Sequence, residues 1–136
     1  MRELNELTGI IIASAIDIHR ALGPGLLESV YQRVLVDALR RKGLDVQSQI
    51  PVQFVYDDIQ FDDGLRLDLF VEGRVIVELK SIEQVSAVHK KQVLTYLRLT
   101  NAQVALLINF GQARLKDGIH RLINNRDNRR DDYANE

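Results

Sequence analysis

The sequence predicts one α/β domain, a mixed β-sheet flanked by helices in the order α-α-β-β-β-α-β. Three observations lead there. Two stretches near the N-terminus carry apolar residues at helical spacing and stop at glycines. The run 65–80 holds two strand-like segments folded back at Gly73. The continuously apolar run 103–110 has the character of a strand buried inside a sheet.

Residues 8–22 read as a largely buried helix, with Thr8 as N-cap and Gly23-Pro24-Gly25 as its stop. A second helix is expected over 26–42, where Leu27, Val30, Tyr31, Val34, Leu35 and Leu39 form an apolar stripe. Arg40, Arg41 and Lys42 complement its C-terminal dipole, and Gly43 ends it. Residues 45–56 alternate as a strand does, with Pro51 favouring an edge or a bulge. Asp57-Asp58 and Asp62-Asp63-Gly64 read as turns. After the 65–80 hairpin, residues 86–99 form a helix with Ser86 as N-cap and Val93, Leu94 and Leu97 facing inward. From 124 to 136 the polar Asn/Arg/Asp tail has too little apolar content to fold, so the single domain is expected over 1–123.

The 136 residues, 46% of them hydrophobic, suffice for one core. No stretch has the length of a membrane span, and the first residues lack a signal-peptide charge pattern. Zero cysteines exclude disulfides, zinc–thiolate sites and iron–sulfur clusters, and a cytoplasmic location is expected. With a net charge of −1, any nucleic-acid contact has to come from a local patch.

The chemistry concentrates in 65–80. Asp68 and Glu78 interrupt apolar stretches, where a charge is costly unless paired. A divalent cation is an economical partner for two such carboxylates. Lys80, two residues past Glu78, shares its face because strand side chains alternate. Two acids and a lysine on one face suit metal-assisted phosphodiester cleavage. They share a face only if the hairpin register is even. A two-residue Glu72-Gly73 loop would separate them. A three-residue Val71-Glu72-Gly73 loop pairs Phe70 with Arg74 and brings Asp68, Ile76, Glu78 and Lys80 together. The competing reading is a structural salt bridge across the hairpin.

Further motifs accompany this trio: Gly25-Leu-Leu-Glu28-Ser-Val-Tyr31, Arg66-Leu-Asp68, Val77-Glu78-Leu-Lys80, His89-Lys-Lys-Gln92-Val-Leu-Thr-Tyr96-Leu and Leu107-Ile-Asn-Phe-Gly111. In this order the chain resembles the GxxExxY proteins of the PD-(D/E)XK nuclease superfamily, from about Leu7 to Ile123. Leu67 departs from the pattern, which has a small residue there. The resemblance implies a restriction-endonuclease-like core. It also implies a Mg²⁺-dependent nuclease, with Mn²⁺ able to substitute, acting on nucleic acid, most naturally DNA, to leave 5′-phosphate and 3′-hydroxyl ends. Asp68, Glu78 and the carbonyl of Leu79 are implied as metal ligands, with Glu28 joining directly or through water. Lys80 is implied to orient or deprotonate the attacking water, with Gln92 and Tyr96 beside it.

Residue chemistry supports parts of this. Glu28/Tyr31 and Gln92/Tyr96, three and four apart, each place a polar group beside an aromatic on one helical face. The three histidines are far apart in sequence, which argues against zinc. His89, Lys90, Lys91 and Arg98 form the basic stretch expected to meet phosphate. Bland readings stand beside these: Glu28 as a first-turn helix acid, the tyrosines as packing residues, and His89 as part of a solvated face. An idle nucleic-acid- or protein-binding module that keeps the fold, with a homodimer through the apolar first helix, is the alternative function.

Overall fold

The computed structural model describes residues 2–124. Its elements are α1 (Leu4–Leu22), α2 (Glu28–Arg41), β1 (Val46–Tyr56), β2 (Ile59–Val71), β3 (Val75–Lys80), α3 (Ala87–Thr100), β4 (Val104–Asn109), a 3₁₀ turn (Leu115–Gly118) and β5 (Ile119–Ile123). The five strands form one sheet in the order β1-β2-β3-β4-β5. β3 and β4 run parallel, joined by the crossover through α3, and the other pairs are antiparallel. This is the mixed, helix-flanked sheet expected, with β5 added. None of the described helices is long and apolar enough to cross a membrane.

Two cores sandwich the sheet. Leu7, Ile11, Tyr31, Leu35 and Leu39 from α1 and α2 pack on Val75, Val77, Leu79, Leu106, Ile108 and Phe110. Val93 and Leu97 from α3 pack on Ile76, Ala105 and Leu107. Alternate residues of β3 and β4 thus feed opposite cores, which is why β4 reads as a continuous apolar run and β3 as one broken only by Glu78 and Lys80. Fully burying one such side chain contributes about 1.5–3 kcal/mol.

Several boundaries differ from expectation, each for a packing reason. α1 begins at Leu4, because Leu7 is fully buried and draws the first turn into the core; Thr8 then lies inside the helix, its hydroxyl donating to Asn5 O. α2 starts at Glu28, since the 23–27 segment is tied down separately. The β1–β2 connection turns at Asp57 and Asp58, which take φ 49° and 63°, but Asp62-Asp63-Gly64 is no turn. Those residues lie inside β2, and Gly64 is there because any Cβ would collide with the Phe54 ring. β1 is an edge strand, as Pro51 suggested.

The β2–β3 register is even, but it is not the expected one. Phe70 pairs with Ile76 rather than Arg74, and Val71 pairs with Val75. Val71 and Val75 are both fully buried, so leaving Val71 in the loop would forfeit a core pair. The turn is Glu72-Gly73-Arg74, with φ 54° at Glu72 and 61° at Gly73. Glu72 is held there by Asp45: its N–H donates to Asp45 O, and its Oε2 accepts from Asp45 N. A shift of two preserves which face each side chain takes.

β5 lies outside the expected order because its pattern is short and half-buried, with His120 and Arg121 at its centre in place of a clean alternation. Asn124 is anchored rather than loose: its N–H donates to Gln103 O and its amide to Leu97 O and Ala102 O. The rest of the expected tail, 125–136, lies outside the described residues.

Candidate active site

The β2–β3 ladder runs over three pairs, ending at Leu69 opposite Val77. At the next position the side chains replace the backbone rung. The Asp68 N–H donates to Glu78 Oε1 at 3.0 Å, and the Leu79 N–H donates to Asp68 Oδ2 at 2.9 Å. β2 also changes face here. Leu65 and Leu67 join the α3 core while Leu69 and Val71 join the α1–α2 core, although residues two apart normally share a face. Opposite Asp68, Gln49 of β1 takes φ 50° and leaves the ladder. Its amide donates to Gln32 Oε1 at 2.8 Å and, more distantly, to Asp68 Oδ1 at 3.4 Å. The site is therefore a fork between two strands, stitched by its own acids.

The electrostatics of the fork are severe. Glu78 is 7% exposed, and burial, then the charge of Asp68, pushes its pKa up to about 9. Lys80 opposes that rise by favouring the charged form, so its ammonium belongs to the same constellation. Tyr96 joins from α3. Its pKa is raised by burial and then by the charges of Glu78 and Asp68, and lowered by a hydrogen bond with Gln92. Asp68, Glu78, Lys80, Gln92 and Tyr96 thus converge across β2, β3 and α3. Leu67, the departure from the motif, is buried against the α3 core and touches packing only.

The donor set suits a hard divalent cation. Each carboxylate commits one oxygen to a backbone N–H, the second Asp68 oxygen meets the long 3.4 Å Gln49 contact, and a 2+ charge would offset their mutual repulsion. Among the described residues, no three His, Cys, Asp or Glu side chains gather into one metal-binding group. Asp68 and Glu78 meet as a pair. Glu28 is exposed at the start of α2, one helical turn before Gln32, which reaches Asp68 through Gln49.

Glu28 lines a groove of about 920 Å³ with Gly25, Leu26, Ser81, Glu83 and Gly111. Its walls are built by motif residues whose role the sequence did not disclose. Tyr31 donates to Gly23 O (2.5 Å) and accepts from Leu26 N (3.1 Å), fixing the segment ahead of α2. The Ser81 hydroxyl donates to Leu26 O at 2.5 Å. Asn109, fully buried, accepts from Ile82 N and Gly111 N and donates to Ile82 O. The Gly111 backbone passes so close to Ile82 O that a Cβ could not fit. Asn109 and Gly111 could have been flagged as positions of close backbone approach; Gln49 carries no sequence signal beyond its nearness to Pro51.

The basic stretch on α3 does not act as one patch. His89 completes a capping box with Ser86, its Nδ1 accepting the Ser86 N–H at 3.0 Å. Lys90 lies near His120 of β5, whose pKa is lowered by burial and then by the lysine charge. That is the far side of α3 from Gln92, two positions on. Lys91 and Arg98, seven apart, share the outer stripe, Lys91 exposed and Arg98 half-buried.

A mixed sheet with two acids and a lysine at the fork of neighbouring strands, faced by a helix carrying Gln and Tyr, is an α/β arrangement of the restriction-endonuclease type. A family model of the PD-(D/E)XK nuclease superfamily matches residues 5–122, and the chain belongs to that superfamily. Its members are typically nucleases that use divalent metal ions on nucleic acid. No curated protein and no solved structure matches the chain.

Proposed function

We propose that this protein is a Mg²⁺-dependent nuclease that hydrolyses phosphodiester bonds in DNA and belongs to the GxxExxY branch of its superfamily. One observation carries the reading: Asp68 and Glu78 are held together at a cost, with Glu78 pushed up to about 9. Their hydrogen bonds to two backbone N–H groups tie the fork together but do not offset the burial of Glu78 beside a second carboxylate, which a bound cation would.

Asp68, Glu78 and the Leu79 carbonyl would hold the cation, with Glu28 completing its shell through water. Bound there, Mg²⁺ or Mn²⁺ would supply Lewis-acid stabilisation of the phosphate oxygens. Lys80 orients the attacking water and stabilises the negative charge that develops on the phosphoryl oxygens. Gln92 holds the Tyr96 hydroxyl, and together they position that water. Lys91 and Arg98 contact flanking phosphates, with His89 and Lys90 at the margin.

The test is cleavage of a panel of single- and double-stranded DNA and RNA with Mg²⁺ or Mn²⁺, against the Asp68→Asn and Lys80→Ala proteins. Metal-dependent DNA cleavage lost in both variants, leaving 5′-phosphate ends, is the expected result. Nucleic-acid binding without turnover under every metal would replace this reading with that of an idle binding module.

A further inference from the structure

A second cavity, of about 540 Å³, lies between α1 and the segment after β4. Its floor is aliphatic: Ile12 and Ile16 of α1, with Leu115 and Ile119 beyond β4. Its rim is cationic, formed by the exposed Arg20, Arg114 and Lys116. None of these three is in an ion pair among the described residues, and no Asp or Glu lines the cavity. The walls are firm. Leu115 is 4% exposed, and the buried His19 ties α1 to the opposite wall through Nε2 and Gln112 O at 2.8 Å. The rim is thus a local excess of positive charge in a chain of net charge −1, open to an anion.

The chemistry of the two halves narrows the ligand. Bare phosphate would use the cations and leave the floor idle. An acyl chain would use the floor and need only one counter-charge. A nucleotide uses both, its base on aliphatic surface and its phosphate on arginine forks that match phosphate oxygens. The volume falls within the usual range for small-ligand sites. The position fits as well: Gly111 lines the groove beside Glu28, and Ala113, two residues on, begins this pocket.

We infer that this pocket binds a nucleotide, its phosphate held by Arg20, Arg114 and Lys116 and its base laid on Ile12, Ile16, Leu115 and Ile119. The nucleotide is either a unit of the strand being cut, which rests on the nuclease reading, or a free mononucleotide.

The experiment is equilibrium binding in EDTA, so that no cleavage is required. It uses a fluorescent single-stranded oligonucleotide, AMP and inorganic phosphate, with wild-type and Arg114→Glu/Lys116→Glu proteins of matched thermal melts. AMP should bind the wild type at least tenfold more tightly than phosphate, and the double variant should lose at least tenfold in affinity. Oligonucleotide binding that falls in parallel in the variant assigns the pocket to the strand; oligonucleotide binding unchanged while AMP binding falls assigns it to a free nucleotide. AMP no better than phosphate, or a variant that binds AMP like wild type, overturns the inference. Mn²⁺ affinity, titrated separately without EDTA, reads the Asp68/Glu78 site and should be equal in both proteins; absence of Mn²⁺ binding in both would count against the nuclease reading and leave the free nucleotide as the ligand of this pocket.

Discussion

Tyr31 stacks on Phe110, with ring centroids 4.3 Å apart and 12° between planes, while its hydroxyl bridges Gly23 O and Leu26 N. One side chain thus joins α2, the end of β4 and the segment that forms the groove wall. Tyr31→Phe keeps the stack and strands two backbone groups. It should cost about 1–3 kcal/mol, and Tyr31→Ala about 3–5 kcal/mol through the cavity it leaves. Urea unfolding of both variants checks the order; a fully neutral Tyr31→Phe would deny the hydroxyl its structural role.

Metal binding should depend on the acids at the fork. Asp68→Asn or Glu78→Gln should weaken Mn²⁺ affinity by at least about tenfold, as removal of even an outer partner commonly does. Calorimetric titration measures it. Glu28→Gln should weaken binding less, because Glu28 lies outside the pair that converges. Undiminished affinity in both fork variants would remove the metal from this place.

The pH dependence of the metal-free protein follows from Glu78. Its carboxyl titrates near 4.5 when unfolded and at about 9 when folded, so between those values the folded state holds a proton that the unfolded state has released. Stability from this group is complete below about 4.5 and declines as pH rises through about 9. Glu78→Gln should flatten that decline and be the more stable protein above neutrality in EDTA. Thermal melts from pH 5 to pH 9 test the sign, and Mn²⁺ should release a proton on binding near neutral pH.

Lys80 is expected to act on the reaction rather than on the fold. Lys80→Ala should lower the cleavage rate by about 10²–10³, as loss of one group stabilising developing charge does. Mn²⁺ affinity and melting temperature should stay close to wild type. Single-turnover cleavage beside calorimetry separates these, and an active Lys80→Ala enzyme would return the residue to a structural role.

Much of the candidate site's layout was legible because it is local. Asp68, Glu78 and Lys80 lie within thirteen residues on one hairpin, and strand alternation with an even register suffices to put them together. Gln92 and Tyr96 read as one helical face for the same reason. The helices announced themselves by periodicity, β3 by its place in the hairpin and β4 by its continuous apolar run.

What tertiary structure decided are the properties that depend on distant partners. The register came from burying Val71 against Val75, a core demand that turn chemistry at Gly73 does not express. Gly64 serves the Phe54 ring and Gly111 the Ile82 carbonyl, neither of which is a sequence neighbour. Lys90 and Lys91 are adjacent in the chain, yet only packing of α3 on β5 sends Lys90 toward His120. The sequence alone determined which groups sit on which local faces, through periods of 2 and 3.6 residues. The fold determined which faces meet, because burial and close approach are properties of pairs that the chain brings together only once it has packed.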